Sequence, residues 1–154
     1  MTVVEKIEKL VQTQQSKILW FLKNSKAGTD SFSMLHLAAK HYRYSACEIL
    51  LEGVQLEINR LSKSLKTPLH VLVKSDTFRM DQDKQYEKRM VKCFHLFVSK
   101  SIDYNARDEL QKSALHYAVI SKNLKAVELL CELRTLEISV NIHVVSKPNG
   151  WCII

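Results

Sequence analysis

The chain has 154 residues, 46% hydrophobic and 25% charged, with 23 Lys and Arg against 16 Asp and Glu for a net charge of +7. That is the length of one domain and the balance of a folded chain rather than a disordered one. The longest apolar run, Ile18 to Leu22, is far short of the roughly 20 residues a bilayer span needs, so no transmembrane helix is expected. Met1 to Lys9 carries Glu5 and Glu8 and no apolar segment of the signal-peptide kind. Three scattered glycines, Gly28, Gly53 and Gly150, exclude a P-loop, a dinucleotide fingerprint and a glycine-flanked nucleophilic serine.

In chain order, Val4, Ile7, Leu10 and Val11 follow helical spacing, and Ile18-Leu19-Trp20-Phe21-Leu22 reads as a second apolar helix. Residues 1–30 are therefore expected to form a degenerate first unit or an N-terminal cap. Lys26-Ala27-Gly28-Thr29-Asp30 then breaks the pattern. Three similar segments follow: Ser33-Met34-Leu35-His36-Leu37-Ala38-Ala39, Thr67-Pro68-Leu69-His70-Val71-Leu72-Val73 and Ser113-Ala114-Leu115-His116-Tyr117-Ala118-Val119. Glu48-Ile49-Leu50-Leu51 and Glu128-Leu129-Leu130-Cys131 stand at the same distance after His36 and His116. His95-Leu96-Phe97-Val98 matches them once a 13-residue insertion is allowed between Ser75 and Val91. Asn59 and Asn105 each precede a unit start by the same interval.

The units are expected at 31–64, 65–110 (with the insertion) and 111–143, followed by an aborted fifth unit or tail at 144–154 with Trp151 and Cys152 in the Leu-His slots. Ser33, Thr67 and Ser113 are placed to cap short helices, and Pro68 sits where a missing N–H costs nothing. The insertion, polar and of mixed charge from Asp76 to Met90, is expected as a surface loop or binding face that extends the helix containing Cys93 to Val98.

This pattern resembles the ankyrin repeat, with its period of about 33 and its T-P-L-H signature, matched in full by Thr67-Pro68-Leu69-His70. The resemblance implies an all-α solenoid of stacked helix-turn-helix units with short hairpin loops. In it His36, Thr67, Pro68, His70 and His116 are structural, the histidines tying neighbouring loops. It also implies a glycine between the two helices of each unit, where this chain has Tyr42 and Lys122; a left-handed residue there costs about 1 kcal/mol. His36 to Ala39, Tyr44-Ser45 with Glu48 to Leu51, and Asn105 to His116 are similar to the GA-binding protein beta-subunit family, which implies a transcription-factor partner. Asp30 to His36, Ile58 to His70 and Ala126 to Asn141 resemble IκB-like proteins, short viral forms included, which implies inhibition of Rel/NF-κB factors instead.

The remaining signals point away from catalysis. Cys47, Cys93, Cys131 and Cys152 form no CxxC; the first three read as small buried hydrophobes. His95 reads as a core histidine, and no metal or paired-carboxylate spacing stands out, so no cofactor, metal or enzymatic activity is expected. A basic nucleic-acid-associated protein is the reading of another class, drawing on Arg60 to Lys66 but lacking exposed aromatics among the charges. The expected partner is a transcription factor or signalling protein met by a monomer in cytoplasm or nucleus, away from membranes. Fingers 59–66 and 105–112 and the inner-helix ends Lys40 to Tyr42 and Ser121 to Asn123 should meet it. The candidate contacts are Tyr42, Arg60, Lys63, Arg107, Glu109 and Lys122.

Overall fold

The computed structural model describes residues 3–74, 84–135, 144–146 and 151–153. The side chains of Val4, Ile7, Leu10 and Val11 and the first half of the insertion lie outside it. A long helix α1 (Val3–Asn24) leads into a short hairpin, β1 (Lys26–Ala27) against β2 (Phe32–Ser33). Three helix pairs follow: α2 (Met34–Lys40) with α3 (Tyr44–Glu48), α4 (Pro68–Val73) with α5 (Lys84–Ser99), and α6 (Ala114–Ile120) with α7 (Leu124–Thr135). The inner helices α2, α4 and α6 stack side by side, α4 in the middle.

Each inner helix starts in the same way. Ser33, Thr67 and Ser113 are extended N-caps, and each closes a capping box with the histidine at the third helical position. Pro68 opens α4 at its first turn. The ends of α2 and α6 also agree. Tyr42 N–H donates to the Ala39 carbonyl and Arg43 N–H to that of Ala38; Lys122 and Asn123 repeat this on Val119 and Ala118. This double closure needs a left-handed residue, and Tyr42 (φ 51°) and Lys122 (φ 54°) adopt it without being glycine.

The spacing from His36 to His70 exceeds the ideal period by one residue, and α3 shows where that residue goes. The helix widens into a π-turn over Ile49–Gly53, with Val54 N–H bonded to the Ile49 carbonyl. One extra residue is absorbed there while Leu50 stays buried and Ile49 is pushed to the surface. The core runs continuously through the pairs: Leu35, Leu69, Leu72, Met90, Phe94, Phe97 and Leu130 are essentially inaccessible. Leu115 and Leu129 are buried as the register requires.

Several expectations are corrected. Residues 3–24 form one continuous helix instead of two, since Thr13-Gln14-Gln15-Ser16 contains neither Gly nor Pro to break it. Ile18, Trp20 and Phe21 are exposed, Trp20 at 68%; Leu22 alone of that stretch packs on the core. Trp151–Ile153 do not begin a helix but pair antiparallel, as β4, with β3 (Val144–Ser146). Val144, Val145 and Ile153 are β-branched, and such residues favour strands. The insertion extends the helix of Cys93 to Val98, as expected, and is not a surface loop throughout. Its second half is the first part of α5, with Met90 fully buried and Tyr86 packed on the core. His95 is exposed, and so is Cys131. Each lies off the buried stripe of its helix: Met90, Cys93, Phe94, Phe97 on α5 and Ala126, Leu129, Leu130, Leu133 on α7.

Candidate protein-interaction surface

The fingers between helix pairs are built on a common turn. Ser31 N–H donates to the Gly28 carbonyl, Leu65 N–H to Ser62 and Gln111 N–H to Asp108, at 3.0–3.2 Å. Ser31, Leu65 and Gln111 are all left-handed, at φ 53°, 59° and 60°. Histidines anchor the turns from beneath. His36 Nδ1 accepts the Ser33 N–H at 3.3 Å, which leaves Nε2–H to donate to the Lys66 carbonyl at 2.8 Å. His70 does the same, with the Thr67 N–H on Nδ1 and the Lys112 carbonyl 3.1 Å from Nε2. Burial holds both imidazoles below their ordinary value, outweighing the carbonyl bonds that favour the cation. His116 repeats the pairing on Ser113. The three histidines thus occupy equivalent buried positions.

Finger two (residues 59–66) hangs from its predecessor. Asp30 accepts the Ser64 N–H at 2.7 Å and the Ser64 hydroxyl at 2.6 Å, and the Lys66 ammonium lies 3.4 Å away. Lys63 N–H donates to the Asp30 carbonyl. Burial works to raise the Asp30 carboxyl, but the bonds from Ser64 and the Lys66 charge outweigh it and hold the group below its usual range. Finger three (residues 105–112) is held mainly by itself. Buried Asp108 accepts the N–H groups of Leu110 and Lys112 and the hydroxyl of Tyr117. Burial and then that bond push the Tyr117 hydroxyl well above its ordinary value. Two bonds reach back to the preceding unit: Glu109 N–H to the Ser64 carbonyl, and His70 Nε2–H to the Lys112 carbonyl.

The candidate contacts divide accordingly. Lys63, Glu109 and Lys122 are exposed, on two fingers and on the turn of the last pair. Arg60 is half-buried, its guanidinium 2.6 Å from the Lys23 carbonyl, so it also fastens α1 to finger two. Arg107 is half-buried. Tyr42 is 2% exposed and is no surface anchor: its ring packs on Tyr86 of α5 with centroids 4.6 Å apart. Asn123 is likewise buried, its amide nitrogen on the Val73 carbonyl and its amide oxygen on Ala126 N–H, where it starts α7. The sequence reading missed Asp30 as a residue that holds a finger; for Arg107 and Asp108 it weighed stabilising the turn against meeting the partner, and the bonds Asp108 accepts from Leu110 and Lys112 are those of a turn stabiliser.

Among the described residues no group of three or more His, Cys, Asp or Glu side chains could hold a metal ion, and no helix is long and apolar enough to cross a membrane. The buried Cys47 thiol is pushed up by its bond to Cys93 and by burial, away from the thiolate a nucleophile needs. Trp20 and Phe21 are exposed, but on α1 and not within Arg60 to Lys66.

Comparison with known proteins agrees with this geometry. Residues 83–130, which cover α5, finger three, α6 and most of α7, match the family described as ankyrin repeats (many copies). The chain is 27% identical over 109 residues to a transient receptor potential cation channel subfamily A member 1 homolog of Caenorhabditis elegans. The match covers 64% of this chain and 9% of that much longer protein. Repeating capping boxes, histidine ties and the sequence match together identify an all-α ankyrin-repeat fold.

Proposed function

We propose that the chain is a non-catalytic protein-interaction module that meets its partner with the tips of fingers two and three and the adjoining inner-helix ends. Ankyrin repeats are interaction modules, which sets the class. One observation carries the choice of face. The polar groups that shape the fingers are satisfied from below by His36, His70, Asp30 and Asp108, leaving Lys63, Glu109 and Lys122 exposed on a fixed frame. A transcription factor or signalling protein of cytoplasm or nucleus is the proposed partner. Support comes from the resemblance of His36 to Ala39, Glu48 to Leu51 and Asn105 to His116 to the GA-binding protein beta-subunit family.

Affinity capture with mass spectrometry tests this, comparing the native chain with a Lys63→Glu, Glu109→Lys, Lys122→Glu variant. All three side chains are exposed, so the variant should keep its helical circular dichroism and lose the captured partner. Undiminished capture by a folded variant would contradict the surface. Recovery of a Rel-type factor would favour the IκB-like reading over the GA-binding-protein-like one.

A further inference from the structure

Charge is spread unevenly around the stack. Residues 23–42 and 59–74, which contain fingers one and two and inner helices α2 and α4, hold Lys23, Lys26, Lys40, Arg60, Lys63, Lys66 and Lys74 against Asp30 alone. Asp30 is itself occupied by Ser64 and Lys66. The outer side of the same unit, residues 43–58, has the opposite sign, with Arg43 against Glu48, Glu52 and Glu57. Finger three is mixed, with Arg107 and Lys112 near Glu109 and Asp103.

Lys40, Lys74 and Ile120 hold one equivalent position, each four residues after the histidine of its unit, at the ends of three stacked inner helices. All three are exposed, Ile120 at 61%. Among the described residues neither lysine has a carboxylate partner; Lys74 Nζ stands 5.9 Å from the centroid of the Tyr117 ring. Packed helices lie about 8–10 Å apart, and an extended chain in polyproline-II conformation advances about 3.1 Å per residue with three residues per turn, so that every third side chain faces the same way. One step along the row therefore matches about three residues of an extended peptide.

We propose that this row takes an extended acidic segment of a partner protein. Carboxylates at positions i and i+3 meet Lys40 and Lys74, and an apolar residue at i+6 meets Ile120. The charge of the surface selects the segment and its spacing sets the register. This inference rests on the interaction reading above and adds the chemistry of the partner.

Selection of a displayed library of random 12-residue peptides on the full chain tests it. The selected peptides should be rich in Asp and Glu at three-residue spacing, followed by Leu, Ile or Phe. A synthetic consensus peptide should bind more weakly as salt rises and lose at least about tenfold on Lys40→Glu with Lys74→Glu, a pair of exposed changes that leaves the helical signal intact. A neutral or basic consensus would overturn the inference while leaving the interaction reading standing. So would acidic peptides that ignore that pair but are lost on Lys88→Glu with Lys92→Glu on α5. Displacement of the peptide by an equimolar 20-nucleotide oligo-dT would overturn it in favour of nucleic acid. Failure to enrich any peptide would remove the interaction reading along with it.

Discussion

Fingers two and three share a turn, a left-handed residue and a histidine beneath, yet they are secured in different ways. Finger two carries Arg60, Lys63 and Lys66 with no acid of its own, and its tip is tied to Asp30 of the finger before it. Finger three carries its own acid, Asp108, which bonds the finger's own backbone and Tyr117 of the helix that follows it. A basic loop of unmixed sign repels itself, and an external carboxylate offsets that. The arrangement lets finger two keep a one-sign surface for a partner, while finger three gives up that surface and supplies its own carboxylate. In a stack whose units contact only their neighbours, the carboxylate of finger two comes from the finger before it, and that of finger three from the finger itself.

The most severe way to break the comparison is to remove the support both fingers share. Leu69 is fully buried in α4, between the other two inner helices, and Leu69→Ala should cost about 2–5 kcal/mol. Thermal unfolding followed by circular dichroism reads this directly; a melting point unchanged within a degree or two would contradict the stacked core. Next in size, Asp108→Ala strips three bonds from a buried acceptor and should cost about 1–3 kcal/mol. Asp30→Ala, at a part-exposed site, should cost less, about 1 kcal/mol. Equal losses from urea unfolding of the two variants would erase the distinction between the fingers.

Acid should act on both fingers through the histidines. His36 and His70 have folded-state values below 6.5, so the unfolded chain binds protons that the folded chain refuses. Their stabilising contribution is complete above about pH 6.5 and is lost as pH falls from there toward the folded-state values. Asp30, held below 3.8, adds a separate loss only under stronger acid. Urea midpoints measured from pH 7.5 to 5 should fall; a flat profile would mean that the buried imidazoles are not neutral. The smallest effect is a gain. Lys122→Gly relieves an exposed left-handed lysine and should stabilise by a few tenths to about 1 kcal/mol, net of the greater freedom of glycine in the unfolded chain. The same change at Tyr42 should destabilise, since Tyr42 also packs on Tyr86.

That contrast shows what was legible. Both residues occupy the turn slot usually given to glycine, and the sequence predicts left-handed backbone at both. The burial of Tyr42 was not foreseen, because the side chain that covers it comes from the insertion. Yet Tyr86, Met90, Phe94 and Phe97 fall at helical spacing, so the expected extension of the helix into the insertion already carried the stripe. His36, His70 and His116 were legible because identical local bonds recur at repeat spacing. The fate of Ile18, Trp20 and Phe21 was not, since an apolar run states an appetite for burial without naming a neighbour. Asp30 escaped notice for a related reason: its partner Ser64 belongs to the next unit.

Amide hydrogen exchange on the Asp30→Ala and Asp108→Ala variants tests the difference between the fingers most directly. The account predicts that Asp30→Ala deprotects the Ser64 amide while the Leu110 and Lys112 amides keep their native rates, and that Asp108→Ala does the reverse. Loss of protection in both fingers from either change, or in neither, would contradict it.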